Sequence, residues 1–171
     1  MELRAKASSC CKFPAFFSKT ILRKCKSQAL VKKENGKDVF YEDSCFLDCV
    51  FKTSGHSTKG NLSGQFIRDA LPPHSLENPL TIINWYHFAD MMMAQTCNIR
   101  WFTAGTIQRF TAIYKKALAN IDAKRPICNI RIAGFWDCMY NQLMGQCLYE
   151  MLTQTDACTK MRTRAVQCTW W

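Results

Sequence analysis

Eleven cysteines in 171 residues are the side chains with the most chemistry to offer. As thiolates they bind metals, and as oxidised pairs they cross-link a chain. Zinc modules place their ligands in Cys-x2-Cys knuckles, commonly with histidines. Here the tightest spaced pair is Cys45-x3-Cys49, and the histidines are only three: His56, His74 and His87. The pattern therefore points to disulfides formed in an oxidising compartment, with no metal and no other cofactor. His87 and Asp90 lie one helical turn apart and are expected to form a surface pair. His56 and His74 fall in polar loops, where they are solvated and titrate near pH 6, a candidate trigger for pH-dependent release. Unchanged pH dependence of binding after replacing both with Gln disposes of that idea.

Hydrolytic chemistry finds no constellation to work with. A helical, disulfide-rich phospholipase needs a His-Asp dyad beside its Cys-Cys pair and a glycine-rich calcium loop. Cys10-Cys11 is followed instead by Lys12-Phe13. Gly-x-Ser-x-Gly, His-Glu-x-x-His and phosphate-cradling loops are absent. The chain is read as a non-enzyme.

The elements that position the cysteines follow from apolar spacing. Phe13, Phe17, Ile21 and Cys25 recur every four residues, a stripe on one helix face. Asp38 is the expected N-cap of a helix carrying Tyr41, Cys45 and Cys49. Asn78-Pro79 opens a helix over 80–97. Ile107, Phe110, Ile113, Tyr114, Ala117, Leu118 and Ile121 form a further stripe, capped by Thr106. Segments 135–152 and 157–168 complete the set. Asn35-Gly36 marks a turn, and period-2 alternation is not sustained anywhere. The expectation is an all-α domain of six to eight helices spanning residues 1–171, compact, disulfide-cross-linked and enclosing an apolar cavity. On such a helix Cys45 and Cys49 differ by about 40° of rotation, so both leave one face and reach different segments. Cys138 and Cys147, on one helix, would point to opposite sides.

The formal charge is +10. Lys and Arg concentrate between Lys19 and Lys33 and again at Lys160, Arg162 and Arg164, without the interleaved aromatics of a nucleic-acid surface. Nucleic acid is not an expected partner. No apolar run reaches the ~18 residues needed to cross a bilayer, so stable membrane insertion is not expected. The first twelve residues lack a leader's apolar stretch, as expected either of a mature chain with an added initiator Met or of a cytosolic protein, and the cysteines favour the former. Asn61-Leu62-Ser63 is a glycosylation triplet consistent with secretion. A basic secreted protein of salivary or venom type, binding anionic host factors, is the alternative function that the charge supports. Its affinity would fall steeply with salt.

The cysteine intervals are Cys45-x3-Cys49, x47 to Cys97, x30 to Cys128, x9 to Cys138, x8 to Cys147 and x10 to Cys158. With the opening Cys10-Cys11-Lys12-Phe13-Pro14, and Cys49-Val50-Phe51-Lys52-Thr53-Ser54-Gly55 followed by Gly60-Asn61-Leu62, this resembles insect odorant-binding proteins of the Plus-C class. The resemblance runs from Cys10 to Cys158. It implies pairing of Cys25 with Cys49, Cys45 with Cys138 and Cys128 with Cys147. Cys10, Cys11, Cys97, Cys158 and Cys168 then make at most two further bonds and leave one orphan, their pairing open, with Cys97 and Cys158 the extra cysteines of the class.

The resemblance also implies a secreted carrier of small hydrophobic molecules such as odorants, acting in sensillum lymph as monomer or homodimer and delivering them toward an odorant receptor. The residues expected to line its cavity are Trp85, Phe88, Met91, Met92, Phe102, Phe110, Tyr114, Phe135, Met139 and Leu143, with Met144 beside them. Methionines adapt to varied ligand shapes, and each of these side chains can equally be core. The terminal Trp170-Trp171 is expected to dock, so that deleting it weakens stability or binding.

Overall fold

A run of basic residues ending at Cys25 forms the first helix described in the computed structural model, which describes residues 10–12, 14–58, 61–63, 65–70, 79–91, 97, 103–147 and 151–167. Helix α1, Lys19–Cys25, starts where the Ser18 hydroxyl accepts the Ile21 N–H at 3.3 Å. The stripe from Phe13 is therefore not one helix. Ser18 caps late, Phe17 precedes the helix, and Phe13 lies outside the described residues. Phe17 is buried all the same, edge-on to Phe51 at 5.2 Å.

A 3-10 turn, Lys26–Gln28, leads into a hairpin of β1, Leu30–Glu34, and β2, Lys37–Tyr41. The strands are antiparallel, with Leu30 opposite Tyr41 and Lys33 opposite Asp38. Asn35 and Gly36 take φ of 51° and 76°, the left-handed pair that a two-residue hairpin turn needs. This corrects the expected cap. Asp38 is a strand residue, and Asp43 caps α2, Ser44–Thr53, accepting the Phe46 N–H at 3.1 Å. The hairpin takes up Tyr41 as well, so the helix begins after it. A second small ladder pairs β3, Ser57–Thr58, with β4, Asn61–Leu62.

The remaining helices among the described residues are α3, Gln65–Asp69; α4, Pro79–Met91; α5, Ala104–Ala119; α6, Ile130–Gly145; and α7, Asp156–Gln167. Pro79 is the first helical residue of α4, where its missing N–H costs nothing. Helix α5 is capped by Thr103 rather than Thr106, because it is the Thr103 hydroxyl that accepts the Thr106 N–H. Helix α6 starts before Phe135, where Asn129 Oδ1 accepts the Ile132 N–H, and ends at Gly145 rather than Leu152. Beyond it, Lys12 N–H donates to Met151 O at 2.8 Å and Thr153 N–H to Cys10 O at 2.7 Å, an extended pairing of two chain segments. The Thr155 hydroxyl accepts the Cys158 N–H and Asp156 occupies the first turn of α7, both suited to a positive helix N-terminus. The architecture is all-α with two short hairpins.

The chain divides into two compact units, each assembled from separate stretches. One comprises Met1–Phe16, Gly64–Asn98 and Trp136–Trp171; the other comprises Phe17–Ser63 and Ile99–Phe135. In the first, Phe16, Phe66, Trp85 and Trp136 form an aromatic cluster with ring centroids 5.7–6.3 Å apart. In the second, Phe17, Phe51 and Phe135 pack edge-to-face beside buried Leu47 and Val50.

Five disulfides staple these units, and each lies within one of them. Cys10–Cys158, Cys11–Cys147 and Cys97–Cys138 belong to the first; Cys25–Cys49 and Cys45–Cys128 belong to the second. Two of the pairings that the resemblance implies are thus replaced. Cys45 bonds Cys128 rather than Cys138, and Cys147 bonds Cys11 rather than Cys128. The reason is local. Ser44 Oγ accepts the Cys128 N–H at 3.2 Å, which brings Cys128 to the first turn of α2. Cys168 lies outside the described residues.

Cys25–Cys49 ties α1 to α2 across a sequence separation of 24. By the chain-entropy argument, closing such a loop contributes about 3 kcal/mol. The double variant Cys25→Ala/Cys49→Ala is expected to lose about that much in a urea titration, with the far-ultraviolet helix signal retained.

Candidate functional site

Helix α4 presents Asn84, His87, Phe88 and Met91 along one face at i, i+3, i+4 and i+7. This face, with Trp85, forms one wall of a cleft of about 290 Å3, and Leu143, Gln146, Cys147 and Met151 form the other. All of these residues belong to the first unit. The volume stands at the small end of ordinary ligand sites.

The floor is apolar and fixed. Trp85 is 1% exposed, its indole N–H donates to Ile67 O at 2.7 Å, and its ring stacks on Phe88 at 5.5 Å. Phe88, Leu143, Cys147 and Met151 are buried as well. The Cys11–Cys147 disulfide and the Lys12 N–H bond to Met151 O hold that side of the cleft to the N-terminal segment. The C-terminal end of α6 is secured where Arg162 Nε donates to Gly145 O at 3.1 Å, a cation at the negative pole of the helix. Asn84, His87 and Gln146 are exposed at the mouth. An apolar floor beneath a few hydrogen-bonding groups suits a small, mostly hydrocarbon molecule with one polar end.

Of the residues expected from sequence to line a cavity, Trp85, Phe88, Met91 and Leu143 come together here. Met139, fully buried on α6, and Met144 lie outside the lining. Phe110, Tyr114 and Phe135 belong to the other unit. There the Ser44 N–H donates to Tyr114 Oη at 2.6 Å, Phe110 lies 5.6 Å from the Tyr114 ring, and Phe135 meets Phe51 at 6.4 Å. Met92 and Phe102 lie outside the described residues, as do His74, Trp170 and Trp171. The expected His87–Asp90 surface pair gives way to a different partner, since Asp90 Oδ1 accepts Arg68 Nε at 2.8 Å. His56 is half-buried with its ring 6.3 Å from Phe17, not solvated as its polar neighbours suggest. Sequence reasoning missed Asn84, His87 and Gln146 at the mouth and Cys147 and Met151 in the apolar lining. The signal for Cys147 was its disulfide, which fixes backbone where a cavity needs a rigid wall. Met151 carries no such signal.

Two ionisable groups with displaced pKa values, Glu34 and Arg125, belong to the other unit, while Arg68 is raised by Asp90 on α4. The Tyr41 hydroxyl, donating to Glu34, and Lys32 beside it hold the Glu34 carboxyl below its usual range. The Asp43 carboxylate pushes Arg125 above its own.

The fold and cleft define a disulfide-stapled helical protein with a small, largely apolar cleft. No family model matches the chain. It is 23% identical over 161 residues to general odorant-binding protein 67 of Anopheles gambiae, an alignment covering 91% of this chain and 70% of that protein. This similarity supports an insect odorant-binding-protein-like family. No described helix is long and apolar enough to cross a membrane.

Proposed function

We propose that this protein is a secreted, non-enzymatic carrier of small hydrophobic molecules, of the Plus-C class, holding its ligand in the cleft between α4 and the end of α6. The observation that carries the reading is the similarity along 91% of the chain to a protein named for odorant binding. The cleft supplies a site of suitable chemistry, and five disulfides suit an extracellular medium. Burying about 300 Å2 of a ten-carbon chain at about 25 cal/mol per Å2 is worth about 7–8 kcal/mol. Association costs reduce this, so burial alone sets a ceiling near roughly micromolar affinity. Release toward an odorant receptor in sensillum lymph, by a monomer or a homodimer, completes the proposal.

The test is displacement of a hydrophobic fluorescent probe from the oxidised protein by volatile and long-chain compounds at low and high salt. Saturable, salt-insensitive displacement supports the carrier. Met91 is half-buried at the cleft wall, so Met91→Trp fills the site without disturbing the core. Probe affinity is expected to fall at least about tenfold while the melting temperature stays unchanged. Equal affinity in this variant moves the ligand elsewhere.

A further inference from the structure

The charge of this protein is not shared between its two units. The unit made of Phe17–Ser63 and Ile99–Phe135 holds sixteen Lys and Arg against six Asp and Glu, a net +10. The other unit holds seven of each, a net of zero. Solubility alone does not require such a division. Within the charged unit, Lys19, Arg23, Lys24, Lys26, Lys32, Lys33 and Lys37 are all exposed, and they occupy α1, the 3-10 turn and the first hairpin. The acids of this stretch are Glu34, bonded to Tyr41 and Lys32, and Asp38, opposite Lys33.

Among these cations sits exposed apolar surface. Val31 and Phe40 are opposite each other across the hairpin, so their side chains stand on one face, and they are 45% and 47% exposed. Lys26 Nζ lies 4.2 Å from the centre of the Phe40 ring. Next to the pair a shallow groove of about 310 Å3 runs between Leu22, Phe46 and Phe40, with Arg23, Lys26 and Glu42 also lining it. Large apolar side chains ringed by Lys and Arg match an interface where anionic headgroups overlie hydrocarbon.

We propose that the surface formed by α1 and the first hairpin docks on an anionic lipid bilayer. Arg23, Lys26 and Lys33 engage headgroups, and Val31 and Phe40 enter the boundary between headgroups and acyl chains. The contact is peripheral and reversible, and it is independent of whether the cleft carries cargo.

The experiment is cosedimentation of the full oxidised protein with vesicles of phosphatidylcholine alone, and of three parts phosphatidylcholine to one part phosphatidylserine, at low and high salt. Binding is expected only to the mixed vesicles, weakening as salt rises. Arg23→Gln/Lys26→Gln is expected to weaken it roughly thirtyfold, and Val31→Ser/Phe40→Ser roughly tenfold. Lys12→Gln/Lys160→Gln, exposed positions in the neutral unit, is expected to change it less than about twofold. All substituted side chains are exposed or part-exposed on the surface, and melting temperatures check that each variant is folded. Absence of binding to mixed vesicles overturns the proposal, as does equal weakening by the control pair. Retention on polyglutamate without vesicle binding overturns it in favour of an acidic protein partner.

Discussion

Arg125→Met is expected to lower the unfolding free energy by about 3–5 kcal/mol, because it leaves a buried carboxylate without its counter-charge. Asp43 is 0% exposed. Its Oδ1 accepts the Phe46 N–H at the start of α2, and its Oδ2 accepts Arg125 Nε at 2.6 Å. Arg125 also donates to Gln28 O. The neighbouring residue, Ser44, receives the Cys128 N–H and gives its own N–H to Tyr114. Asp43, Ser44 and Cys45 thus join the start of α2 to α5 and to the segment before α6, the last of them through Cys45–Cys128. Asp43→Asn keeps the capping oxygen and removes the charge. Adding it to Arg125→Met is therefore expected to recover at least about 1 kcal/mol. Urea unfolding of both single variants and the double one measures the coupling. A loss below about 1 kcal/mol for Arg125→Met would mean that the pair behaves like a solvated surface ion pair.

Trp85→Ala is expected to cost a similar 3–5 kcal/mol or so, for a different reason. The indole fills the space between Phe16 and Phe88 and satisfies the Ile67 carbonyl. Removing it leaves a void and a buried acceptor without its donor. Trp85→Phe separates the two contributions. It keeps most of the packing and loses the hydrogen bond, with an expected cost of about 1–3 kcal/mol. Because Trp85 is also the cleft floor, both variants are expected to change probe affinity, whereas Arg125→Met, in the other unit, is expected to leave the folded protein's probe affinity unchanged. Equal loss of affinity in Trp85→Ala and Arg125→Met at the same fraction folded would remove the cleft from the binding site.

Much of the helical framework was legible in the sequence. The stripe from Ile107 to Leu118 corresponds to α5, with Ile121 beyond its C-cap Asn120, and Pro79 opens α4, because apolar period and cap chemistry are properties of neighbouring residues. Cys45 and Cys49 point to different partners, as four-residue spacing on a helix dictates. The first hairpin was not legible beyond its Asn35-Gly36 turn. Val31 and Phe40 are exposed, so the strands bury no continuous apolar face and leave no alternation to detect. The charge division was equally hidden, since it depends on which separate stretches make up each unit.

What the sequence by itself determined is the chemistry available: an oxidised cysteine scaffold, helices with apolar faces, and more aromatic and methionine side chains than one site uses. What only the tertiary structure decided is the partner of each thiol and the role of each apolar residue. Trp85 and Phe135 are both 1% exposed, yet one floors a cleft and the other closes a core. Local spacing fixes the face on which a side chain stands, but whether that face meets a neighbour or a void depends on contacts between residues far apart in the chain.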